Sequence, residues 1–306
     1  MKVFTNKKKM RGYREFLYIL PFIILVAIFA YYPLYGWAYA FFDYKPPKAL
    51  SMDDFVGLKW FRYLVDNPVR IKQTLMVLRN TFAMSGLTIL FSWLPMIFAV
   101  FLNEIKCMPF RKFVQTVTTL PNFISWVLVF SICYCMFNST GMANSLLIQM
   151  GVLEKPIAFL QSSNHIWLKM WLWSTWKSLG WSAIMYIAAI SGIDAELYEA
   201  AKIDGANRWQ QILHVTLPCI SQTIVIMLIL RMGSVLNVGM EQILMLENAA
   251  VKSISDVIST YTYRMGIQQL QYSKTTAIGV FQSLINMLLM LSANKISKKL
   301  TGDGIW

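Results

Sequence analysis

The side chains able to do chemistry in this sequence are sparse, and their spacing excludes most catalytic sets. Its two histidines, His165 and His214, are separated by a long apolar run and cannot share one metal ion. No nucleophile, base and acid stand in a recognisable pattern, so the sequence does not point to an enzyme. No Gly-x-x-x-x-Gly-Lys-Ser/Thr stretch occurs, so the chain has no ATP site of that kind. The four cysteines do not read as a disulfide framework. Cys107 lies beside Lys106 in a short basic loop, Cys133 and Cys135 sit inside an apolar run, and Cys219 follows Pro218. Helix residues two apart face different ways, so these thiols read as reduced packing groups. What remains is Lys177 and Arg231 inside apolar runs, with Asn122, Trp126, Asn237, Glu241, Gln242, Gln282 and Asn286 in or beside such runs. Ionisable groups there face a cavity or a partner, so this set is expected to line a polar path or to pair internally, for example with Glu241.

The apolar runs dominate the chain. Of 306 residues, 57% are hydrophobic and only 14% are charged, with a mean hydropathy of +0.50. A soluble domain carries about 25% charged residues, so much of this surface must face lipid. The expected class is an all-α integral membrane protein. Six stretches reach the roughly 20 residues a helix needs to cross the hydrocarbon core: Phe16–Phe41, Met76–Leu102, Phe113–Phe137, Ile166–Ile190, Val215–Val238 and Tyr272–Ala293. In lipid every backbone polar group must be paired internally, which requires helices. Pro21, Pro33, Pro95 and Pro121 lie in or near these runs, where membrane helices tolerate kinks. The first run is longer than the about 7–15 residues of a secretory leader, so it is expected to be a retained span.

The net charge of +13 does not form a nucleic-acid footprint, because the basic residues punctuate the apolar runs and form no continuous face. They cluster in residues 1–15 (Lys2, Lys7, Lys8, Lys9, Arg11, Arg14), between spans 2 and 3 (Lys106, Arg111, Lys112), between spans 4 and 5 (Lys202, Arg208), and in residues 295–306 (Lys295, Lys298, Lys299). Six spans put all four regions on one side, and the positive-inside rule makes that side cytoplasmic, both termini included. The external loop 43–75 also holds basic residues, with four aspartates. Its middle, Phe55–Val65, has apolar residues at helical spacing and is expected to lie along the membrane face. The expected organisation is a basic tail (1–15), a six-span domain (16–294) and a C-terminal tail (295–306).

The connection between spans 4 and 5, residues 194–218, reads as a helical hairpin. Asp194 is a good N-cap, and Glu196 and Glu199 fall in the first turns, where they complement the helix dipole. Gly205 can end the first helix at positive φ, Asn207–Leu213 reads as a second short helix, and Pro218 opens span 5.

This segment resembles the EAA loop of ABC-importer permeases: Glu199-Ala200-Ala201, then Asp204-Gly205-Ala206, then Leu217-Pro218. Ala195 departs from the proline many of that family carry. Val56-Gly57-Leu58-Lys59-Trp60-Phe61, Arg79-Asn80-Thr81, Leu120 to Val127, Val235 to Gln242 and Gly302 to Trp306 are similar to carbohydrate importers of the complex-oligosaccharide branch. The resemblance implies the six-helix permease fold of a type I importer, with the hairpin as a coupling helix in a cleft of the ATP-hydrolysing subunit. Glu199 would be the anchoring acid, Gly205 the turn, and Ala200, Ala201 and Ala206 the residues allowing close approach. It implies as partners a second homologous permease, a dimeric ATPase that binds ATP and Mg, an extracytoplasmic binding protein and an oligosaccharide. Span 4, with Trp167, Trp171, Trp173, Trp176 and Trp181, offers aromatic faces for sugar rings, although Trp167 and Trp171 suit an interfacial belt better. The alternatives, a stand-alone secondary transporter or channel and a membrane enzyme, would need carboxylates within the spans or a polar constellation at one face. Neither is visible.

Overall fold

The computed structural model describes residues 2–302, 304 and 305, with side chains described for 12–299, 302, 304 and 305. Asp303 and Trp306 of the C-terminal block, and the side chains of Lys2, Lys7, Lys8, Lys9 and Arg11, lie outside the described residues. Every regular element among the described residues is helical, apart from an isolated bridge between Phe42 and Phe55. Four stretches are long and apolar enough to cross a bilayer: Gly12–Phe41, Pro68–Asn103, Trp126–Gln149 and Tyr272–Lys299. Two further helix pairs qualify as bent units, with 69° between Ile166–Ser191 and Ala195–Ile203, and 60° between Arg208–Cys219 and Ser221–Met232. Counting each bent pair as one span gives six.

The chain divides into two compact units. The first comprises Met1–Asn67 and Thr262–Phe281. Its helix α1 (Lys2–Val26) runs through Pro21 into a π-turn at Ala27–Tyr31 and a tighter 3-10 stretch at Tyr32–Phe41. Pro33 enters at the start of that stretch, where its missing N–H costs least. No residue in the most apolar window of this span is buried, so lipid or another chain must cover it. The expected flat helix over Phe55–Val65 is only half present. A short helix spans Lys59–Arg62 and a 3-10 turn spans Tyr63–Val65. Phe55 is extended and bridges to Phe42, and Gly57 has φ +57°, a value that ends helical continuity. The Trp60 indole N–H donates to the Phe42 carbonyl at 2.9 Å, and the Lys274 ammonium lies 5.2 Å from the Trp60 ring and 4.5 Å from that of Tyr63. In the exposed loop, a 2.8 Å hydrogen bond to Asp54 holds the Lys48 ammonium above its ordinary pKa.

The second unit comprises Pro68–Tyr261 and Gln282–Trp306. Here α2 (Pro68–Leu90) and α3 (Leu94–Asn103) are separated by a turn, where one continuous run over Met76–Leu102 was expected; Pro95 sits in the first turn of α3. The expected third span, Phe113–Phe137, is also broken. Helix α4 (Met108–Thr119) gives way to a 3-10 turn at Leu120–Phe123, and α5 (Trp126–Phe137) begins afresh. Pro121 removes a donor at the break, and the Ser125 hydroxyl caps α5 by accepting from the Leu128 N–H. Helix α6 (Ile166–Ser191) is the central rod, with Ala183, Tyr186 and Ile190 buried against Ala99 and Val100 of α3, and against Ile212 and Ile220. A second core joins Met84, Ile166, Met170, Ile243, Val251 and Val257. The fifth expected span, Val215–Val238, shifts: helix begins at Arg208, bends at Ile220, and continues as the segment Ser221–Met232 before leaving helical geometry at residues 233–239. Helix Tyr272–Thr301 outlasts the expected end at Ala293 and runs through residues of both units.

Two polar clamps hold the second unit. Asn80, fully buried, donates from Nδ2 to the carbonyls of Ser253 and Asp256 at 3.2 and 2.9 Å, and the Thr81 hydroxyl accepts from the Ile258 N–H at 3.1 Å. At Gly180 the backbones of α4 and α6 nearly touch, since a Cβ there would run into the Thr118 carbonyl. Small residues permit such approach between membrane helices. Gly180→Ala is expected to lower the melting temperature of the detergent-solubilised protein by overpacking worth about 1–3 kcal/mol, and Gly180→Leu to abolish accumulation in membranes. Wild-type melting of Gly180→Ala would contradict this contact.

Candidate functional site

The hairpin is built as a stiff unit. Helix α7 (Ala195–Ile203) starts at Asp194, whose carboxylate accepts from the Glu196 N–H at 3.0 Å. It ends in a Schellman arrangement: the Gly205 N–H donates to the Lys202 carbonyl at 3.1 Å and the Ala206 N–H to the Ala201 carbonyl at 2.9 Å. Gly205 adopts φ +77°, which side-chain-bearing residues rarely do. Helix α8 (Arg208–Gln211) opens with a capping box between Asn207 and Gln210. The Gln211 amide donates to the Ala206 carbonyl at 2.9 Å, and the hydroxyls of Tyr198 and Thr216 lie 2.9 Å apart, tying the two arms together. The hairpin is fastened to the end of α3, with Arg208 3.6 Å from Glu104 and the Trp209 ring 6.1 Å edge-on from Phe101. Pro218 does not open a fresh span as expected. It lies inside the helical stretch Arg208–Cys219, just after a π-turn at Ile212–Thr216 that accommodates its missing N–H, and the axis bends two residues later at Ile220. Leu217 is half-buried beside it.

What the hairpin presents outward is apolar and acidic. Leu197 is 48% exposed, Ile203 87%, Trp209 62% and Leu213 56%. Glu199, Ala200, Asp204 and Gly205 are exposed, whereas Ala201 and Ala206 are half-buried in the turn. Among the described residues neither Glu199 nor Asp204 has an ion-pair partner.

The polar residues inside the spans fall into separate groups. Lys177 forms no pair with Glu241; its ammonium donates to the carbonyls of Pro121 and Asn122 at 3.2 and 2.7 Å and lies 5.7 Å from the Trp126 ring. Gln282 donates from Nε2 to the Leu236 carbonyl at 2.8 Å and to the Asn237 side chain at 2.7 Å, and the buried Asn286 accepts from the Leu236 N–H at 3.2 Å. The buried Gln242 donates to the Met170 carbonyl, and Glu241 is exposed on the helix Met240–Leu246. Arg231, Asn237 and Gln242 meet at a cavity of about 190 Å³, with Ser85, Thr88, Trp171, Ser174 and Ser234 in the same wall. A smaller recess of about 40 Å³ continues past Thr88, Trp171 and Arg231 to Thr175 and Ser178.

Sequence reasoning missed much of this wall. Its signal was legible: Trp171, Ser174, Thr175 and Ser178 recur at helical spacing along an otherwise apolar span. Both tryptophans at the head of α6 have partners within the protein. Trp167 donates to the Ile254 carbonyl at 2.8 Å under the Arg79 guanidinium, and Trp171 packs 4.5 Å from Phe91 at the cavity.

Broken apolar helices, a stiff exposed hairpin and a polar recess within the spans define a membrane transport component. The chain belongs to the family of binding-protein-dependent transport system inner membrane components, whose model matches residues 96–302. It is 37% identical over 293 residues to Protein LplB of Bacillus subtilis (strain 168), covering 95% of this chain and 90% of that one. It is equally identical, over 95% of this chain and 89% of the other, to the polygalacturonan/rhamnogalacturonan transport system permease protein YteP of the same strain. Among solved structures it is similar to a chain of a bacterial alginate ABC transporter crystallised with an alginate pentasaccharide-bound periplasmic protein (TM-score 0.85, 35% identity, 98% of this chain and 99% of that one covered). The chain is therefore a multi-pass permease subunit of a binding-protein-dependent ABC transporter, and not an enzyme.

Replacing Asn286 by Leu leaves the buried Leu236 N–H unpaired, which costs about 1–3 kcal/mol. Gln282→Leu removes bonds at a half-buried position and is expected to cost less. Thermal unfolding in detergent should rank the variants in that order; equal melting would refute the assignment.

Proposed function

We propose that this chain is the permease of an ATP-driven oligosaccharide importer, and that residues 194–218 are its lever on the ATPase. The observation that carries the reading is the hairpin itself: rigidly capped, joined through bends of 69° and 60°, and showing Leu197, Ile203, Trp209 and Leu213 to solvent. Apolar side chains so exposed beside unpaired acids suit a protein interface, with Glu199 as the anchoring acid and Gly205 as the turn. A motor domain whose cleft changes shape on binding ATP would displace a stiff hairpin as a body, and the bends would pass that motion to α6 and to Ser221–Met232.

The basic residues beside the hairpin and at both ends of the chain support cytoplasmic termini in a bacterial plasma membrane. The cavity of about 190 Å³ falls short of the roughly 300–1,000 Å³ of a complete ligand site, which supports a second, homologous permease as the opposite wall. On this reading residues 16–294 form the permease domain, and the binding protein delivers substrate to its outer face. The relatives named for polygalacturonan/rhamnogalacturonan, for arabinooligosaccharides and for alginate support an oligosaccharide cargo. Trp171 and the hydroxyls around it suit such a ring, apolar on its faces and hydrogen-bonding at its edge.

Glu199→Lys and Gly205→Val are expected to cut ATPase retained on the solubilised permease at least about tenfold, or to leave hydrolysis uncoupled from uptake, as loss of about 1.4 kcal/mol or more at an interface would do. Full retention with normal uptake in both variants would remove the lever role.

A further inference from the structure

Arg231 is the side chain of the cavity wall that the fold does not use. Four other cations of the second unit are engaged: Lys177 by the carbonyls of Pro121 and Asn122, Lys169 by those of Phe159 and Ser162, Arg79 by the Asn80 side chain, and Arg208 by Glu104. Arg231 occupies the last turn of the helix Ser221–Met232, where a cation complements the helix dipole. Its guanidinium nevertheless donates to no carbonyl of that turn. Among the described residues it has neither a hydrogen-bond acceptor nor a carboxylate at ion-pair distance. It lines both the larger cavity and the adjoining recess, and no Asp or Glu among the described residues lines either.

A charged group within a membrane span is costly and persists where it serves a path or a partner. A guanidinium offers five donors in a planar fork that matches a carboxylate with two parallel bonds. Around this fork stand the Trp171 ring, the hydroxyls of Thr88, Ser174 and Ser234, and the Asn237 amide. Together they can stack an apolar ring face, bond ring hydroxyls and neutralise one acid group.

We propose that Arg231 reads a carboxylate on the passing sugar, so that the transported class is oligosaccharides bearing uronic acid groups. This rests on the reading of the chain as an oligosaccharide permease. Arg231 selects among substrates and takes part in no bond-making step.

The test uses the intact transporter, with its ATPase and binding protein, in proteoliposomes. The probes are labelled oligogalacturonides of one length, as free acids and as methyl esters of nearly the same shape. Wild type is expected to import the free acid in preference, and Arg231→Gln to lower the acid-to-ester ratio of uptake roughly 10- to 100-fold, the value of a charged hydrogen-bonded contact. Arg231→Lys, which keeps the charge and loses the fork, should fall between. The same binding protein serves every measurement, so its own preference cancels in the comparison of variants. An Arg231→Gln ratio equal to wild type overturns the proposal, as does wild-type import of the ester as readily as the acid. If both variants lose the companion subunits on purification, Arg231 pairs with a partner's carboxylate, and the proposal also fails. Wild-type import of no oligosaccharide at all would instead refute the permease reading on which it rests.

Discussion

A backbone carbonyl or N–H left unpaired in hydrocarbon costs several kcal/mol, and that constraint organises the spans of this protein. Its helices break repeatedly, after Leu90, at Leu120–Ser125, at Ile220 and at residues 233–239. At two of these breaks a polar side chain from another helix supplies the missing partner. Lys177 meets the carbonyl of Asn122 and adds a second donor to that of Pro121, which also accepts from the Ile124 N–H, and Asn286 and Gln282 meet the N–H and carbonyl of Leu236. Asn80 performs the same service for the carbonyls of Ser253 and Asp256. Lys177, Gln282 and Asn286 thus bond backbone groups at breaks in the helices.

These pairings bear on function. Once Lys177, Gln242, Gln282 and Asn286 are assigned to backbone carbonyls and amides, the polar groups left facing open space are few, and they gather around Arg231, Trp171 and Asn237. The break after Met232 places Arg231 at the end of one helical segment and Asn237 in the irregular stretch that follows it, facing Trp171 of α6. Irregular backbone at membrane depth is tolerated where it is buried in protein or lines a cavity.

The hairpin obeys the opposite logic. It lies outside the long apolar runs, so water can satisfy its backbone, yet it is capped at nearly every orphan group: Asp194, the turn at Gly205, the Asn207–Gln210 box and the Gln211 bond to Ala206. Such redundancy in a solvated loop makes sense where the loop must move as a body. Its exposed Ile203 and Trp209 are costly ornaments unless a partner covers them.

The sequence by itself determined the class of the protein and the local form of the hairpin. Charge scarcity and runs of about 20 apolar residues follow from the solvent the chain must live in, and caps such as Asp194 and Gly205 act through neighbours within a few positions. Even the polar stripe Trp171, Ser174, Thr175 and Ser178 stood in the periodicity of one helix. Tertiary structure alone decided where the spans break and what each polar residue does there. The run Phe113–Phe137 is long enough to pass for one helix; its division at Pro121 is held by Lys177, 56 positions away, which donates to the carbonyls of Pro121 and Asn122. Whether a buried lysine or glutamine binds cargo or repairs backbone depends on which atoms lie within about 3 Å of it. Those atoms come from elements distant in sequence, and no local pattern records the distance.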